Sequence, residues 1–173
     1  MYRESRKKAH LTTEEASFRL HISPHSIFKY ESGERIPPPE VVLSMSREYK
    51  KPEMTVAYCK ESCPIGQAYG YEMLTGVKTD FANITLKLIE EIEEAKEALD
   101  KVMKLVINKG TREDFSDQQW REFENAIMEF LDIEHGVEVL KMALGRIVDV
   151  SQLVEMHNRK CYEHGYIKKE MAL

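Results

Sequence analysis

Long apolar runs are missing from this 173-residue chain: none approaches the roughly 20 residues that a bilayer-spanning helix needs. Glycine and proline are sparse, at 8 and 6 residues, which excludes a collagen-like or low-complexity chain. A hydrophobic share of 42% excludes wholesale disorder. Three cysteines are an odd number and too few for a disulfide scaffold, so the composition suits a reducing compartment. The segment Met1–Lys8 is polar and basic and leads into no apolar secretion segment. No nucleophile–base constellation and no phosphate-cradling glycine loop can be found, so neither enzymatic activity nor a cofactor is expected. These absences predict a soluble, cytoplasmic protein without a membrane partner.

Charge is unevenly spread. Residues 1–51 hold ten Lys and Arg against seven Asp and Glu, a net +3, and three of the six histidines. The remainder carries 15 against 23, a net −8. An anionic partner is therefore expected at the first third of the chain.

Helix-length segments with short turns fill the first sixty residues. Thr12 and Glu15 have the spacing of a capping box, and Ser23 followed by Pro24 suits an N-cap and first helical position. Gly33 supplies a helix stop, and Pro37-Pro38-Pro39 interrupts the chain before a fourth helix. A fifth helix is expected from Pro52-Glu53 to near Cys63. Residues 64–78, with Gly66, Gly70 and Gly76, read as a linker. From residue 79 the texture changes to long amphipathic helices. Leu88, Ile92, Ala95, Leu99, Val102 and Val106 recur at three and four residues. A second long helix, capped at Ser116 and carrying Trp120, Phe123, Ile127, Phe130, Val137, Leu140 and Leu144 inward, should return beside the first. A last helix is expected from about Val150 to His164. The chain reads as all-α: a five-helix domain over residues 1–63, a linker over 64–78, and a long-helix hairpin or bundle over 79–173.

The stretch LTTEEASFRLHISPHSIFKYESG, Leu11 to Gly33, resembles the helix-turn-helix of the lambda-repressor-like (Cro/CI-type, Xre) transcription regulators. The match in spacing is ungapped and includes Ser23, Ile27, Tyr30, Glu31 and Gly33, and the resemblance extends over about residues 2–60. It implies double-stranded DNA as partner, with Pro24, His25, Ser26, Phe28 and Lys29 on the exposed face of the recognition helix. His25 and Lys29 are the expected base contacts, Ser26 a phosphate contact, and Phe28 a surface for a thymine methyl. Thr12 and Ser23 stand at helix N-termini whose free N–H groups suit phosphates. Thr13 replaces the family's phosphate-contacting glutamine, and Arg35 falls in the loop beside the backbone. His21 replaces the usual turn glycine, so a side chain must tolerate that turn. The implied protein is a bacterial- or phage-type regulator such as a repressor. The alternative is a protein-interaction or antitoxin-like module whose helix-turn-helix packs against protein.

Residues 79–173 are expected to form a homodimer, through Ile84, Leu88, Ile92, Leu99, Leu105 and Ile107, or to receive a protein or small-molecule effector. Cys59 with Cys63, and His157, Cys161 and His164, have one-face helical spacings, but core packing is the expected role and no metal site is assigned. The acidic run Glu90–Glu94 is read as a solvated helix face.

Overall fold

The computed structural model describes residues 1–74, 76 and 78–167. All regular structure among them is helical, in two compact units: Met1–Gly70 with the chain from Leu144 onward, and Tyr71–Ala143.

The first unit begins with α1 (Tyr2–Lys8), α2 (Thr13–Leu20), α3 (Pro24–Ser32), α4 (Pro39–Glu48) and α5 (Glu53–Ser62). Local chemistry sets the boundaries. The Glu15 amide donates to the Thr12 hydroxyl at 3.1 Å, and the Glu15 carboxylate receives the Thr12 amide at 2.8 Å. These bonds hold the Glu15 carboxyl below its ordinary range. Ser23 caps α3 through the Ser26 amide at 3.1 Å, and Gly33 ends it at φ +78°. Between α2 and α3, His21 adopts the left-handed conformation (φ 52°, ψ 37°) that the missing turn glycine would have provided. The Ser17 hydroxyl donates to the Ile22 carbonyl at 2.5 Å and fixes the turn.

Ala16, Ile27, Val42, Met45 and Met54 meet at the centre, each no more than 1% exposed. Leu11, Leu20, Tyr30 and Tyr49 close the shell. Arg6 ties α1 to the end of α3. Its Nε and Nη2 donate to the two Glu31 oxygens at 2.6 and 2.9 Å, and Nη1 donates to the Leu11 carbonyl at 2.8 Å. Burial pushes the Tyr49 hydroxyl up to about 12.

Residues 64–78, expected as a linker, contain a further helix, α6 (Pro64–Tyr69). The reason is contact: a Cβ at Gly66 would lie 2.3 Å from the Cys59 carbonyl, so this glycine lets α6 lie against α5. Thr75 and Val77 of that stretch, and residues 168–173 of the last expected domain, lie outside the described residues. The last helix, α9 (Val150–Glu163), groups with the first unit rather than with the hairpin. Arg146 pairs with Glu53, and Arg47 donates to the Ser151 hydroxyl at 3.3 Å. Burial raises the Glu53 carboxyl, but Arg146, a backbone amide and Lys51 outweigh it and hold the group below its ordinary range.

The second unit is a hairpin of α7 (Phe81–Val106) and α8 (Asp117–Leu144). Asp80 caps α7 through the Asn83 amide at 3.1 Å, and Ser116 caps α8 through the Gln119 amide at 3.3 Å. The connection is pinned by Lys109, whose ammonium lies 4.5 Å from the Phe115 ring centre and bonds Gln119 at 2.8 Å. Ile84, Glu91, Ala95 and Ala98 of α7 are buried, as are Ala126, Val139 and Ala143 of α8. Val137, expected inward, is 38% exposed because the buried positions near the end of α8 fall at Val139 and Ala143. Ile84, expected to dimerise, is 3% exposed and so belongs to the interior of this unit.

Candidate nucleic-acid interface

Helix α3 is held from behind by Ile27 and Tyr30, both buried. On the helix wheel Pro24, His25, Phe28 and Lys29 lie about 90° or more from the mean direction of these two, and Ser26 lies at the edge of the buried face. His25 and Phe28 are exposed and Lys29 and Ser26 are half-buried, so all four reach solvent. Phe28 keeps 60% of its surface. Pro24 and Ser23 are exposed at the tip of the helix, with the Ser23 and Ser26 hydroxyls 3.0 Å apart. Pro24 has no amide hydrogen and the Ser26 amide is taken by Ser23, so the His25 amide is the free donor of that first turn.

At the start of α2, Thr12 is exposed and Thr13 half-buried. The amides of Thr13 and Glu14 stand ahead of the capped Glu15 amide, in the positive end of the helix dipole. Arg35, exposed in the loop after α3, stacks its guanidinium 5.7 Å from the Tyr30 ring centre. Its amide bonds the Lys29 carbonyl at 3.2 Å, which fixes the loop against the end of α3. The arrangement can place one helix in a major groove, with hydroxyl and amide donors for phosphates beside it.

Comparison with known families agrees with this geometry, because residues 3–54 match the family described as helix-turn-helix. Residues 3–54 are a Cro/CI-type helix-turn-helix. That family consists of DNA-binding regulators. The helix-turn-helix match covers α1 to α4 and stops at Met54, so it says nothing of the hairpin. No curated protein and no solved structure matches the chain.

Beyond the helix-turn-helix, Cys59 is exposed, which corrects the expectation that it packs in the core: its helix turns the thiol away from Met54. Cys161 lies with Sγ 3.4 Å from the Nε2 of His157 on α9. Among the described residues, the group able to bring three metal-ligand atoms together is instead Glu91, Glu129 and Asp132, within 4.8 Å of one another. Glu91 is buried and paired with Lys87. The sequence signal for this group is a carboxylate pair one turn apart on α8, Glu129 and Asp132, facing a single carboxylate, Glu91, on α7. It was hidden because Glu91 sits inside the run Glu90–Glu94, which reads as a solvated face. No described helix is long and apolar enough to cross a membrane.

Proposed function

We propose that residues 1–63 read operator DNA sequence-specifically, and that the chain acts as a dimeric transcription regulator of the repressor type in the cytoplasm. The observation that carries this is the solvent face of α3: His25, Ser26, Phe28 and Lys29 reach outward while Ile27 and Tyr30 lock the helix from behind. His25 and Lys29 reach base edges, Phe28 meets a thymine methyl, and Thr12, Thr13, Ser23, Pro24, Ser26 and Arg35 border the phosphates. The hairpin joins two such readers or receives an effector, and its acidic character keeps it away from phosphate. Selecting binding sites from random duplex DNA with purified protein tests the reading. A recovered motif with two related half-sites about one helical turn apart, or multiples of it, is the expected outcome. Recovery of no motif would overturn it.

One observation favours a second reading, a protein-interaction module. Phe18, Phe28 and Ile36 of the helix-turn-helix unit are 81, 60 and 66% exposed, an apolar set suited to a protein surface. In that case Phe28→Ala abolishes partner capture, and the salt dependence typical of phosphate binding is absent.

A further inference from the structure

Helix α7 carries two heptad stripes. The first, Ile84, Leu88, Glu91, Ala95, Ala98, Val102 and Leu105, turns into the hairpin, and each of its members is buried or half-buried. The second lies one residue on, 100° around the helix. It consists of Ile89, Ile92, Lys96, Leu99 and Met103, and its four apolar members are 54, 46, 45 and 55% exposed. One residue in the other direction the surface is different: Glu94, Glu97, Lys101 and Lys104, with Glu122, Asn125 and Glu129 of α8, surround an open cleft of about 740 Å³ whose floor includes Ala98, Leu105 and Ala126. The hairpin is therefore two-faced, charged on one side and apolar on the other.

Antiparallel packing puts positions that follow the seam of each helix on the same side. Ile127 and Leu131, one and five residues beyond the buried Ala126, thus extend the apolar face onto α8. The part of α7 centred on Lys96, from Leu86 to Val106, is about 30 Å long at 1.5 Å per residue. Across two helices of about 10 Å each, that is a face of about 600 Å². Two such faces bring an interface to about 1,200 Å², the lower bound for stable association.

We infer that this face is covered by the same face of a second copy, with the two α7 helices antiparallel about a two-fold axis near Lys96, forming a four-helix bundle. The pattern is self-complementary. Apolar positions stand at −7, −4, +3 and +7 from Lys96, so an axis half a residue before Lys96 sets Ile92 of one copy against Leu99 of the other. Lys96 has Glu93 at 3.9 Å in its own chain and Asp100 one turn on. In the antiparallel pair the two Lys96 ammoniums meet at the axis, and Glu93 and Asp100 of both copies, four carboxylates, surround and neutralise them. Charged side chains ring the cleft on the other side, Glu94, Glu97, Lys101, Lys104, Glu122 and Glu129, so association closes at two copies instead of growing. Of the residues expected to dimerise, Ile92 and Leu99 lie on this face, whereas Ile84, Leu88 and Leu105 serve the seam within the chain. The inference deepens the dimer of the proposed regulator and rests on that reading only for its operator.

Sedimentation equilibrium of the full chain at micromolar concentration tests it. The wild type is expected at twice its 20.2 kDa mass. The Ile92→Lys/Leu99→Lys double variant is expected at the single-chain mass with unchanged helical circular dichroism, and Glu97→Lys/Lys101→Glu, on the cleft side, at the doubled mass. Should the double variant lose helix, disulfide trapping decides, because it keeps the stripe. In a background with Cys59, Cys63 and Cys161 changed to Ser, Lys96→Cys should cross-link two copies on oxidation, and Lys101→Cys should not. A monomeric wild type, a dimeric double variant with its helix content intact, or equal cross-linking at both positions overturns the inference. A dimer that selects no DNA would leave this face standing and remove the regulator. A monomer that selects one half-site would do the reverse.

Discussion

At the centre of the amino-terminal unit stand Ile27, Met45, Met54 and Val42, large side chains with 0–1% exposure. At the centre of the hairpin stand Ala95, Ala98, Ala126 and Ala143, while Ile89, Ile92, Leu99 and Met103 face outward. The first unit encloses its apolar volume within one chain. In the hairpin, alanines hold much of the centre, and each methyl removes little apolar surface from water. Ile84 and Val139 are its large buried side chains, and the others stand half-buried or outside. The lesson is that regular helices and good caps do not by themselves make a large-residue core: the same chain contains one unit centred on large side chains and one centred mostly on alanines.

The sharpest way to break this contrast is to make the first unit resemble the second. Ile27→Ala leaves a cavity where nothing can collapse and should cost about 2–5 kcal/mol of stability. Chemical denaturation followed by circular dichroism checks it, and a loss below 1 kcal/mol would mean that this core is no tighter than the hairpin. The converse change is Ala95→Leu. Ala95 is 2% exposed, and overfilling its site should cost about 1–3 kcal/mol, read as a lower denaturation midpoint for the hairpin and weaker association. A neutral outcome would show the seam to be loose.

Function separates the two units as well. Lys29→Ala should weaken operator binding by about 1–3 kcal/mol if the ammonium touches a base, with no change in melting temperature. Titration of labelled operator against the variant measures it; equal affinity for operator and scrambled DNA in the wild type would remove the base-reading role. A smaller effect is expected at Thr12→Ala, which deletes one half of a reciprocal cap and should cost about 1 kcal/mol, seen as an earlier thermal transition.

Acid supplies the gentlest probe. The folded state holds the Glu53 carboxyl below its ordinary value, so Glu53 stabilises the fold above the unfolded value, about 4.3. That contribution fades as the pH falls through the depressed folded value. The Arg146 pairing should then weaken in the acid range and stay constant at neutral pH. Comparison of the wild type with Glu53→Gln across the acid range reads this: the gap in stability should narrow as pH falls, and a gap that widens would contradict it.

Much of the first unit was legible because its signals are local. Thr12 with Glu15, Ser23 with Pro24, and Gly33 each declare a helix end within four residues, and the structure puts α2 and α3 between them. The exposed face of α3 followed from Ile27 and Tyr30 alone. The hairpin was legible only as two long helices. Ile84 and Leu88 compete with Ile89 and Ile92 as apolar stripes one residue apart, and periodicity cannot choose between them. The choice is made in the fold, where Leu88 lies against Gly136 of α8, a match between residues nearly fifty positions apart. Gly66 misled for a similar reason. In sequence it reads as a break in the chain; in the fold it is the place where α6 touches α5. Likewise Arg146 with Glu53 joins positions too distant for any local pattern, and so α9 was assigned to the wrong neighbours.

That last pairing gives the chain an uncommon topology. Because the polypeptide returns to its first unit after Ala143, the hairpin is an insertion with two covalent crossings instead of an appendage on one tether. A single protease cut in the exposed connection, for example after Lys109, would leave fragments of residues 1–109 and 110–173. They would share both the α7–α8 seam and the Arg146–Glu53 pair. Such a nicked protein should migrate as one species in native conditions and as two in denaturant, with the recognition helix still mounted on its own core.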